Sequence, residues 1–329
     1  MKPRILRTYV RQLTAAGYDV AELLGDAGIT LESIEALAPI AADNVASIID
    51  TLATRLPECA ALQAGKYTQV GDLGLVGYRQ LFSRSFREAI DVWIRFSVLT
   101  SHPFAGKFAV DGARWQLEYR PNLPLTSRAL RFCSDEALSS LQTLLGNFFG
   151  AEIPSISIHL PFPGTDALSR SYAEIGYDSV IFDAPYLAIE GDSSCLDRSL
   201  ICIDSDVRAL CENQCQTMLS LAIAEVGFAT RVEHALRLYD SLPTAHVVAA
   251  RLGVSRRTLH RELAAEGTSF HRILDRVRRE RAELLFANGK LALKEIAWQL
   301  GFADPSGLRR AARGWTGTTL PDRDRSLAA

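Results

Sequence analysis

Two segments of the chain share one short pattern, and this repeat constrains the fold more than any other feature of the sequence. The first segment, AARLGVSRRTLHREL, spans residues 249–263, and the second, AWQLGFADPSGLRRAA, spans residues 297–312. Both begin with Ala-x-x-Leu-Gly, which places Gly253 and Gly301 at equivalent positions 48 residues apart. Glycine adopts the left-handed backbone at a helix end with little strain. The repeat therefore predicts two short helices that each end in a glycine turn.

A second helix is expected after each turn. Ser255 precedes the first of these helices, and Asp304 and Ser306 stand at the start of the other. Serine and aspartate are favoured at helix N-termini because their oxygens accept hydrogen bonds from the free N–H groups there. A short helix, a glycine turn and a capped second helix form the helix-turn-helix pattern. The sequence predicts two such units, the second with a turn that is one residue longer.

The second helix of each unit carries polar and basic side chains. Leu259 and Leu263 have helical spacing and are expected to face a core, so the basic residues near them face outward. A helix fits the major groove of DNA, and arginine pairs with guanine edges or with phosphates. The candidate DNA-contacting residues are Ser255, Arg256, Arg257, His260 and Arg261 in the first unit and Ser306, Arg309 and Arg310 in the second.

One long helix is predicted between the two units. In SFHRILDRVRRERAELLFANG, apolar residues fall at 270, 273, 274, 277, 284 and 285. This spacing indicates a helix of about 19 residues and roughly 28 Å. Successive turns of one face of DNA lie about 34 Å apart. A rigid spacer of this length suits two helices that read adjacent major-groove segments.

Charge is distributed unevenly along the chain. Residues 229–329 contain 18 Lys and Arg against 11 Asp and Glu, a net charge of +7, whereas residues 1–228 carry −9. The chain of 329 residues therefore has a net charge of only −2. A basic segment on an acidic body indicates a polyanionic partner for the basic segment. A single basic helix is usually only solvated, but two helix-turn-helix units, this charge and the spacer together favour DNA.

The preceding part of the chain mixes helices and strands. The residues around Asp111-Gly112 alternate in polarity and predict a hairpin, and SISIHLPF and YDSVIFDAPYLAIE predict further short strands. From residue 229 onward every periodic segment is helical. We therefore expect an α+β domain over residues 1–228, followed by an all-α domain over residues 229–329 that contains two helix-turn-helix units joined by a long helix.

Several classes of protein do not fit this sequence. No apolar run reaches the roughly 18 residues that cross a bilayer, and the N-terminus lacks the apolar stretch of a signal peptide. The six cysteines form no CxxC pair, and we expect them to be reduced in a cytoplasmic protein. Cys211 and Cys215 lack further metal ligands nearby, and no nucleophile motif is present. We expect no catalytic site, no metal and no cofactor.

The C-terminal segment resembles a known family. VVAARLGVSRRTLHRELAAEGTSFHRILDRVRRERAELLF and LKEIAWQLGFADPSGLRRAARGWTG look like the DNA-binding domain of AraC/XylS-type bacterial transcription regulators, and the resemblance covers residues 231–325. It implies that Arg257, His260 and Arg261 occupy outward reading positions and that Arg310 has the matching place in the second unit.

The second unit departs from the signature of this family. That signature is Gly-Phe-x-(Asp/Glu)-x-Ser-x-Phe-x-Arg-x-Phe, followed by Trp-x-Gly and a proline-led turn. The matching residues are Gly301, Phe302, Asp304, Ser306, Arg310, Trp315 and Gly317. Leu308 and Ala312 replace the two usual phenylalanines, and Pro321 comes one residue late. These changes predict a thinner core and a weaker hold on DNA for the second unit.

Most of residues 5–225 resemble the N-terminal domain called arabinose-binding in one AraC subgroup. The resemblance rests on GDLGLVGYRQLFSRSFREAIDVWIRFSVL and YDSVIFDAPYLAIEGDSSCLDRSL. It implies a domain that binds a small-molecule effector, in a family made up mostly of activators that contact RNA polymerase. It does not identify the effector. Residues of types that can line a pocket for an anion are Lys66, Tyr67, Tyr78, His102 and Arg120, but none of them is assigned to a ligand.

The helix predicted near residues 205–225 bears a row of apolar side chains. They are Val207, Leu210, Cys211, Cys215, Met218, Leu219 and Ala222. This face either forms the seam of a homodimer, as the resemblance implies, or packs on its own domain.

The favoured interpretation is a cytoplasmic, sequence-specific regulator of transcription. Its expected partners are double-stranded promoter DNA, a small-molecule effector, RNA polymerase and a second copy of the chain, without a membrane. Two alternatives remain open. One is an enzyme with a DNA-binding tail, which needs a catalytic set within residues 1–228, and the other is a DNA-binding architectural protein that needs no ligand.

Overall fold

A computed structural model describes residues 4–25, 29–35, 40–201, 204–225, 227–237, 239, 241–288 and 291–316. The chain divides into two compact units, Met1–Ala222, which we name unit 1, and Ile223–Ala329, which we name unit 2. The division falls slightly before the boundary expected at residue 228. Gly317 and Pro321, two positions of the family signature, lie outside the described residues.

Unit 1 contains both helices and strands, as expected of an α+β domain. Its helices are α1 (Arg4–Ala15), α2 (Val20–Gly25), α3 (Leu31–Glu35), α4 (Ala42–Arg55), α5 (Ala60–Gly65), α6 (Leu75–Leu81), α7 (Phe86–Thr100), α8 (Ser127–Phe149), α9 (Asp166–Glu174) and α10 (Ser205–Glu225). Its strands are β1 (Phe104–Asp111), β2 (Arg114–Pro121), β3 (Ile156–His159), β4 (Ser179–Ile181) and β5 (Leu187–Asp192).

The five strands form one sheet in the order β1-β2-β5-β3-β4. Strands β1 and β2 form the expected hairpin, in which Phe104 pairs with Pro121 and Asp111 with Arg114. Gly112 in its turn has a φ of +55°, which a glycine adopts with little strain. Strand β3 runs parallel to β4 and antiparallel to β5. The sequence predicts the strands but not this order, because the order depends on which elements cross the sheet.

The long helix α8 is the centre of the unit 1 core. Thr126 caps it by accepting a hydrogen bond from the backbone N–H of Ala129 at 3.1 Å. Helix α5 approaches α8 so closely that a Cβ on Gly65 would lie 2.5 Å from the Cβ of Ser139. Glycine at position 65 therefore allows the two helices to pack together.

The apolar face of helix α10 is only partly covered. Cys211 and Cys215 are buried, and Cys215 packs with Val92 and Phe96 of unit 1. Leu210 is 60% exposed and Met218 is 37% exposed. The expected apolar row therefore packs on its own unit through some of its residues and leaves others exposed, which the sequence does not show because all these residues share polarity.

Every regular element among the described residues of unit 2 is a helix, in agreement with the expected fold class. The helices are α11 (Phe228–Arg237), α12 (Ala245–Arg251), α13 (Arg256–Ala265), α14 (Phe270–Asn288), α15 (Leu293–Gln299) and α16 (Pro305–Thr316). They enclose one core, whose fully buried members include Val232, Leu236, Val248, Leu259, Leu263, Ile296, Leu300 and Leu308. None of the helices within the described ranges of the chain is long and apolar enough to cross a membrane.

Helix α11 begins and ends earlier than its sequence pattern, which spans residues 231–241, suggests. The carboxylate of Glu266 accepts hydrogen bonds from the backbone N–H groups of Phe228 and Ala229, the latter at 2.8 Å. At the other end, Arg281 donates to the carbonyl oxygens of Arg237 and Tyr239. Both helix ends are therefore capped by side chains from distant parts of the chain, which a local pattern cannot reveal.

The two turn glycines offer a matched test of the packing of unit 2. Gly253 and Gly301 have φ values of +68° and +70°, but an added Cβ meets nothing within 4 Å at Gly253 and lies 2.2 Å from the carbonyl oxygen of Leu242 at Gly301. Gly253→Ala should cost about 1–2 kcal/mol through backbone strain alone. Gly301→Ala should cost a further amount of about 1–3 kcal/mol through overlap. Urea unfolding of the two full-length variants measures the difference, and equal losses would contradict the packing described for Gly301.

Candidate nucleic-acid interface and ligand cavity

The two glycine turns of unit 2 close with equivalent backbone hydrogen bonds. In each turn the glycine N–H donates to a carbonyl three residues back, and the next N–H donates to a carbonyl five residues back. The pairs, donor first, are Gly253–Ala250 (3.1 Å), Val254–Ala249 (3.0 Å), Gly301–Trp298 (2.9 Å) and Phe302–Ala297 (2.9 Å). The sequence repeat therefore corresponds to a structural repeat, helix α12 with α13 and helix α15 with α16.

Helix α13 presents its basic side chains to solvent. Ser255 caps the helix by accepting a hydrogen bond from the backbone N–H of Thr258 at 3.0 Å. Leu259 and Leu263 are fully buried and fix the helix against the core. The side chains expected to contact DNA all lie on the exposed part of the helix: Arg256, Arg257, His260 and Arg261.

Arg261 forms an ion pair with its neighbour Glu262 at 2.7 Å. The Arg261 side chain is nevertheless 70% exposed, and exposed ion pairs of this kind contribute little. The guanidinium therefore stays accessible to an external anion.

Helix α16 has the same plan with one electrostatic difference. Asp304 caps it, because its carboxylate accepts hydrogen bonds from the backbone N–H groups of Ser306 at 2.7 Å and Gly307 at 3.0 Å. These bonds lower the pKa of Asp304, so the carboxylate stays charged. Arg310 is exposed and Arg309 is half-buried. The N-terminus of α16 thus already holds an anionic group, whereas the N-terminus of α13 holds a neutral hydroxyl.

The positions of the two missing phenylalanines belong to the core of unit 2. Leu308 and Ala312 are buried to within 1% of full burial. Trp315 lies half-buried against the same core, and its indole N–H donates to Asp275 of α14 at 3.4 Å. Leucine and alanine at these positions offer less apolar surface to the core than phenylalanines, and the weaker hold on DNA stays a prediction.

Two half-buried arginines of helix α14 donate hydrogen bonds to backbone carbonyls within unit 2. Arg278 donates to the carbonyl oxygens of Leu300 at 2.9 Å and Gly301 at 3.1 Å. Its guanidinium also lies 4.3 Å from the centre of the Phe302 ring. Arg281 donates to the carbonyls of Tyr239 at 3.0 Å and Gln299 at 3.4 Å. These contacts join α14 to the C-terminal ends of α11 and α15.

A buried ion-pair network lies on the other side of α14. The side chain of Arg237 is only 7% exposed and donates to Glu233 and Glu280, while Arg276 donates to Glu233. A buried arginine with two carboxylate partners is a strong positional constraint, because separating one partner leaves an uncompensated charge. The network therefore fixes α11 on α14.

Unit 1 contains a cavity of about 80 Å³ between α1, α7, α8 and the sheet. One part of its wall is apolar and aromatic, with Phe86, Trp93, Tyr119 and Phe148. Another part is polar: Gln12, Thr68, Glu136 and Ser140. A mostly apolar enclosure with a few grouped polar side chains is typical of a small-molecule site.

The polar residues of the cavity are hydrogen-bonded to one another. The amide of Gln12 donates to Thr68 at 2.7 Å, and Ser140 donates to Glu136 at 2.6 Å. Thr68 and Ser140 are joined by a further hydrogen bond. Burial raises the pKa of Glu136 to about 7, and the hydrogen bond from Ser140 opposes that rise. Both the protonated and the charged form of Glu136 are therefore populated near neutral pH.

Only one of the five side chains considered for an anion pocket lies in this cavity. His102 contributes to its wall, and burial lowers its pKa to about 4, so the imidazole is neutral. Tyr67 and Tyr78 are about half exposed. Arg120 pairs with Glu118, and Lys66 borders a different surface depression. The structure does not bring the five together.

Among the described residues, no group of three or more His, Cys, Asp or Glu side chains is placed to hold a metal ion. Burial raises the pKa of Cys211 and that of Cys215, the latter to about 11, which keeps both thiols protonated. Both cysteines serve as small apolar residues in the packing of α10.

Two family models match the chain. The first describes the N-terminal arabinose-binding domain of the AraC transcription regulator and matches residues 17–200, which is more than half of the chain. The second describes a helix-turn-helix domain and matches residues 248–322. The chain belongs to the AraC family of transcription regulators.

The AraC-family relatives include characterised regulators of Pseudomonas aeruginosa. The chain is 28% identical to the ornithine utilization regulator, over 79% of this chain and 77% of that protein. It is 24% identical to the transcriptional regulator VqsM, over 79% of this chain and 82% of that protein. The alignment with the crystal structure of the transcriptional regulator CdpR covers 92% of this chain and 96% of the CdpR chain, with 20% sequence identity and a TM-score of 0.47. The family consists of DNA-binding regulators with an N-terminal ligand-binding domain and not of enzymes.

Some side chains of the AraC-type chain occupy positions in the site that its sequence did not single out. Arg278 and Arg281 belong to a basic run that suggests only a charged helix surface, and Gln12 and Glu136 lie on amphipathic helices like many other polar residues. Their roles arise from elements that are distant in sequence. Helical periodicity could have placed Glu136 on an inward face, but nothing local identifies its partners.

Loss of Arg281 should destabilise unit 2 without removing a DNA contact. Arg281→Ala removes the donor that reaches the carbonyls of Arg237, Tyr239 and Gln299, so we expect a loss of about 2–3 kcal/mol, since hydrogen bonds to charged groups contribute about 1.5–3 kcal/mol. Arg272→Ala on the exposed side of α14 removes the same charge and should change stability by less than about 0.5 kcal/mol. Hydrogen exchange at the amides of α11 and α15 reports the effect, and similar protection in both variants would rule out this role.

Proposed function

We propose that this AraC-family regulator reads two adjacent major-groove segments of promoter DNA with helices α13 and α16. The observation that supports this most is the repeated turn, closed by equivalent hydrogen bonds, with a buried leucine and exposed arginines on each following helix. A helix held in this way can enter the major groove with its N-terminal residues toward the base edges. The 19 residues of α14 span roughly 28 Å, which suits neighbouring groove segments.

The residues proposed for DNA contact divide into two roles. In α13, Arg257 and Arg261 are suited to pair with guanine edges, while Ser255, Arg256 and His260 lie at positions that suit phosphate or base contacts. In α16 the corresponding residues are Ser306, Arg309 and Arg310.

The two helices are not proposed to contribute equally. The free N–H groups at a helix N-terminus attract phosphate, but in α16 the carboxylate of Asp304 already occupies this position. Ser255 leaves the N-terminus of α13 without a negative charge. We therefore propose that α13 provides the stronger hold on DNA.

The arginines of α13 provide the test of this proposal. Arg257→Ala and Arg261→Ala should each weaken specific binding by about 1–3 kcal/mol, because each removes a charged hydrogen-bond donor from the DNA surface. The measurement is a gel shift with the full chain on a duplex selected in vitro for binding to it.

Arg170→Ala is the matched control, since Arg170 is an exposed arginine on α9 of unit 1. It loses the same charge and should bind DNA like the wild type. If all three variants bind equally, α13 is not the reading helix.

Ligand control is proposed to act through the cavity of unit 1. A ligand that binds one arrangement of the protein more tightly than another shifts the population toward it and so changes affinity for DNA. One relative is a regulator of ornithine utilisation, which supports a small metabolite as the effector here. The site of action is proposed to be the cytoplasm, with activation through RNA polymerase as the family resemblance implies.

A homodimer is proposed to form through the exposed side of α10. Leu210 and Leu221 are each 60% exposed, and Met218 lies beside them at helical spacing. Cys215 and Leu219 pack α10 against Val92 and Phe96 of unit 1, so the helix can meet a second copy while still packed on its own unit. Pairing two chains would let each read one copy of a repeated DNA site and increase avidity.

Charges placed on this side of α10 should separate the dimer. Leu210→Glu with Leu221→Glu puts two like charges in an apolar seam, and light scattering should then report the mass of a monomer. Gln216→Glu with Ser220→Glu adds the same charge at exposed positions on another side of α10 and should remain dimeric. A monomeric wild type, or equal dissociation of both double variants, would exclude this interface.

A further inference from the structure

The cavity of unit 1 lacks a counter-ion for an anionic ligand. Its ionisable wall residues are Asp72, His102, Tyr119 and Glu136, and none of the described residues that line it is Lys or Arg. Burial keeps the His102 imidazole neutral by lowering its pKa. A carboxylate or phosphate placed here would lose its hydration without gaining a cationic partner, which is costly.

Hydrogen bonds within the polar cluster run in one direction. Ser140 uses its hydrogen to donate to Glu136, so the hydrogen between Thr68 and Ser140 must come from Thr68. The oxygen of Thr68 then accepts from the Gln12 amide nitrogen. This order fixes the orientation of the Gln12 amide and leaves its carbonyl oxygen as an acceptor.

Two acceptors in the cavity wall have no donor. The Oε1 atoms of Gln12 and Gln80 are buried, and neither has a hydrogen-bond partner among the described residues. Gln12 is fully buried. Buried polar atoms are almost always paired in folded proteins, so unpaired acceptors in a cavity wall indicate that a ligand or water supplies the donors.

The charge in the cavity is also unbalanced. Asp72 is paired with Arg11, whose Nε atom donates to it at 2.9 Å. Glu136 has hydroxyl and amide neighbours but no ion pair with a cation among the described contacts. The cavity therefore combines a buried carboxyl with unpaired acceptors, and none of the described residues in its wall is a Lys or Arg.

The rest of the cavity suits the apolar body of a ligand. Trp93 and Tyr119 lie with ring centres 5.3 Å apart, and Phe86 and Phe148 add further aromatic surface. Such a wall favours hydrocarbon and also tolerates a nearby cation through the negative faces of its rings.

We propose that the cavity binds a small primary amine in its ammonium form, with the nitrogen between Glu136 and Oε1 of Gln12 and the hydrocarbon body against the aromatic wall. This proposal deepens the proposed ligand control and depends on it only for its regulatory consequence. An ammonium group brings three donors and one positive charge, which matches what the polar part of the cavity lacks. Molecules with a free carboxylate, including simple amino acids, fit less well because they have no cation to pair with.

Three ligands with the same five-carbon chain and different head groups test the ligand class. Calorimetric titration of the full chain with n-pentylamine, 1-pentanol and pentanoate should show binding of the amine with a Kd on the order of 1 mM, as expected for a ligand of this size. The alcohol should bind at least about tenfold more weakly, because it lacks a charged hydrogen bond, and pentanoate should not bind measurably.

Glu136 has a matched control beside it in α8. Glu136→Gln should weaken pentylamine binding at least about tenfold. Asp135→Asn makes the same kind of change at a residue that is equally buried but bonds to Tyr172 and does not line the cavity; it should bind within about twofold of wild type. Gln12→Met gives a second variant that removes an acceptor without altering charge, and it should also weaken binding.

The pH dependence supplies an independent readout. Because Glu136 must lose its proton to pair with an ammonium group, pentylamine affinity should rise from pH 6 to pH 8 and then level off. Asp72 and Arg11 also face this group, and they pair with each other. Glu136→Gln should abolish the rise.

Some outcomes would overturn the proposal. They are equal binding by Glu136→Gln and Asp135→Asn, tighter binding of pentanol or pentanoate than of pentylamine, and no binding of pentylamine at all. A separate gel shift with saturating pentylamine tests regulation. Unchanged DNA affinity together with Glu136-dependent binding would refute ligand control while leaving the ligand class intact.

Discussion

The hydrogen bonds from α14 to the ends of neighbouring helices are the constraint on which the DNA-binding unit depends. Arg278 and Arg281 donate to backbone carbonyls at the ends of α11 and α15. Helix ends have free carbonyls that need donors, and here a charged side chain supplies them from the central helix. This arrangement ties the position of each short helix to α14, so the turn that follows α15 is held by tertiary contacts as well as by its own sequence.

Equivalent turns support two helices whose environments differ. Leu263 fills the core beneath α13, whereas the corresponding residue beneath α16 is Ala312. An acidic cap at Asp304 also replaces the neutral Ser255. Both differences weaken the binding of α16 to a phosphate backbone. Less apolar contact holds the helix less firmly, and an anion at its start repels phosphate. The repeat conserves the geometry of the turn while the two helices differ in how strongly they can bind.

The polar groups of the cavity lower the stability of unit 1. A buried Glu136 and an unpaired amide oxygen on Gln12 each disfavour folding, and an apolar core at the same place would be more stable. Some buried polar groups elsewhere in the unit are paired, as with Tyr172 and Asp135, whereas Oδ1 of Asn122 is a further buried acceptor without a partner among the described residues. Concentrating unpaired acceptors in one enclosed space is consistent with binding rather than with packing, since a ligand can supply donors that the fold omits.

The sequence by itself determined the fold class, the helix-turn-helix repeat and the outward position of Arg257 and Arg261, because periodicity and glycine turns are local properties. Tertiary structure alone decided three matters. It set the early start of α11, because Glu266 caps that helix across the unit. It left part of the apolar row of α10 exposed, since only contacts show which residues are covered. It also brought Gln12, Thr68 and Glu136 into one cavity, because residues far apart in the chain become neighbours only when helices pack.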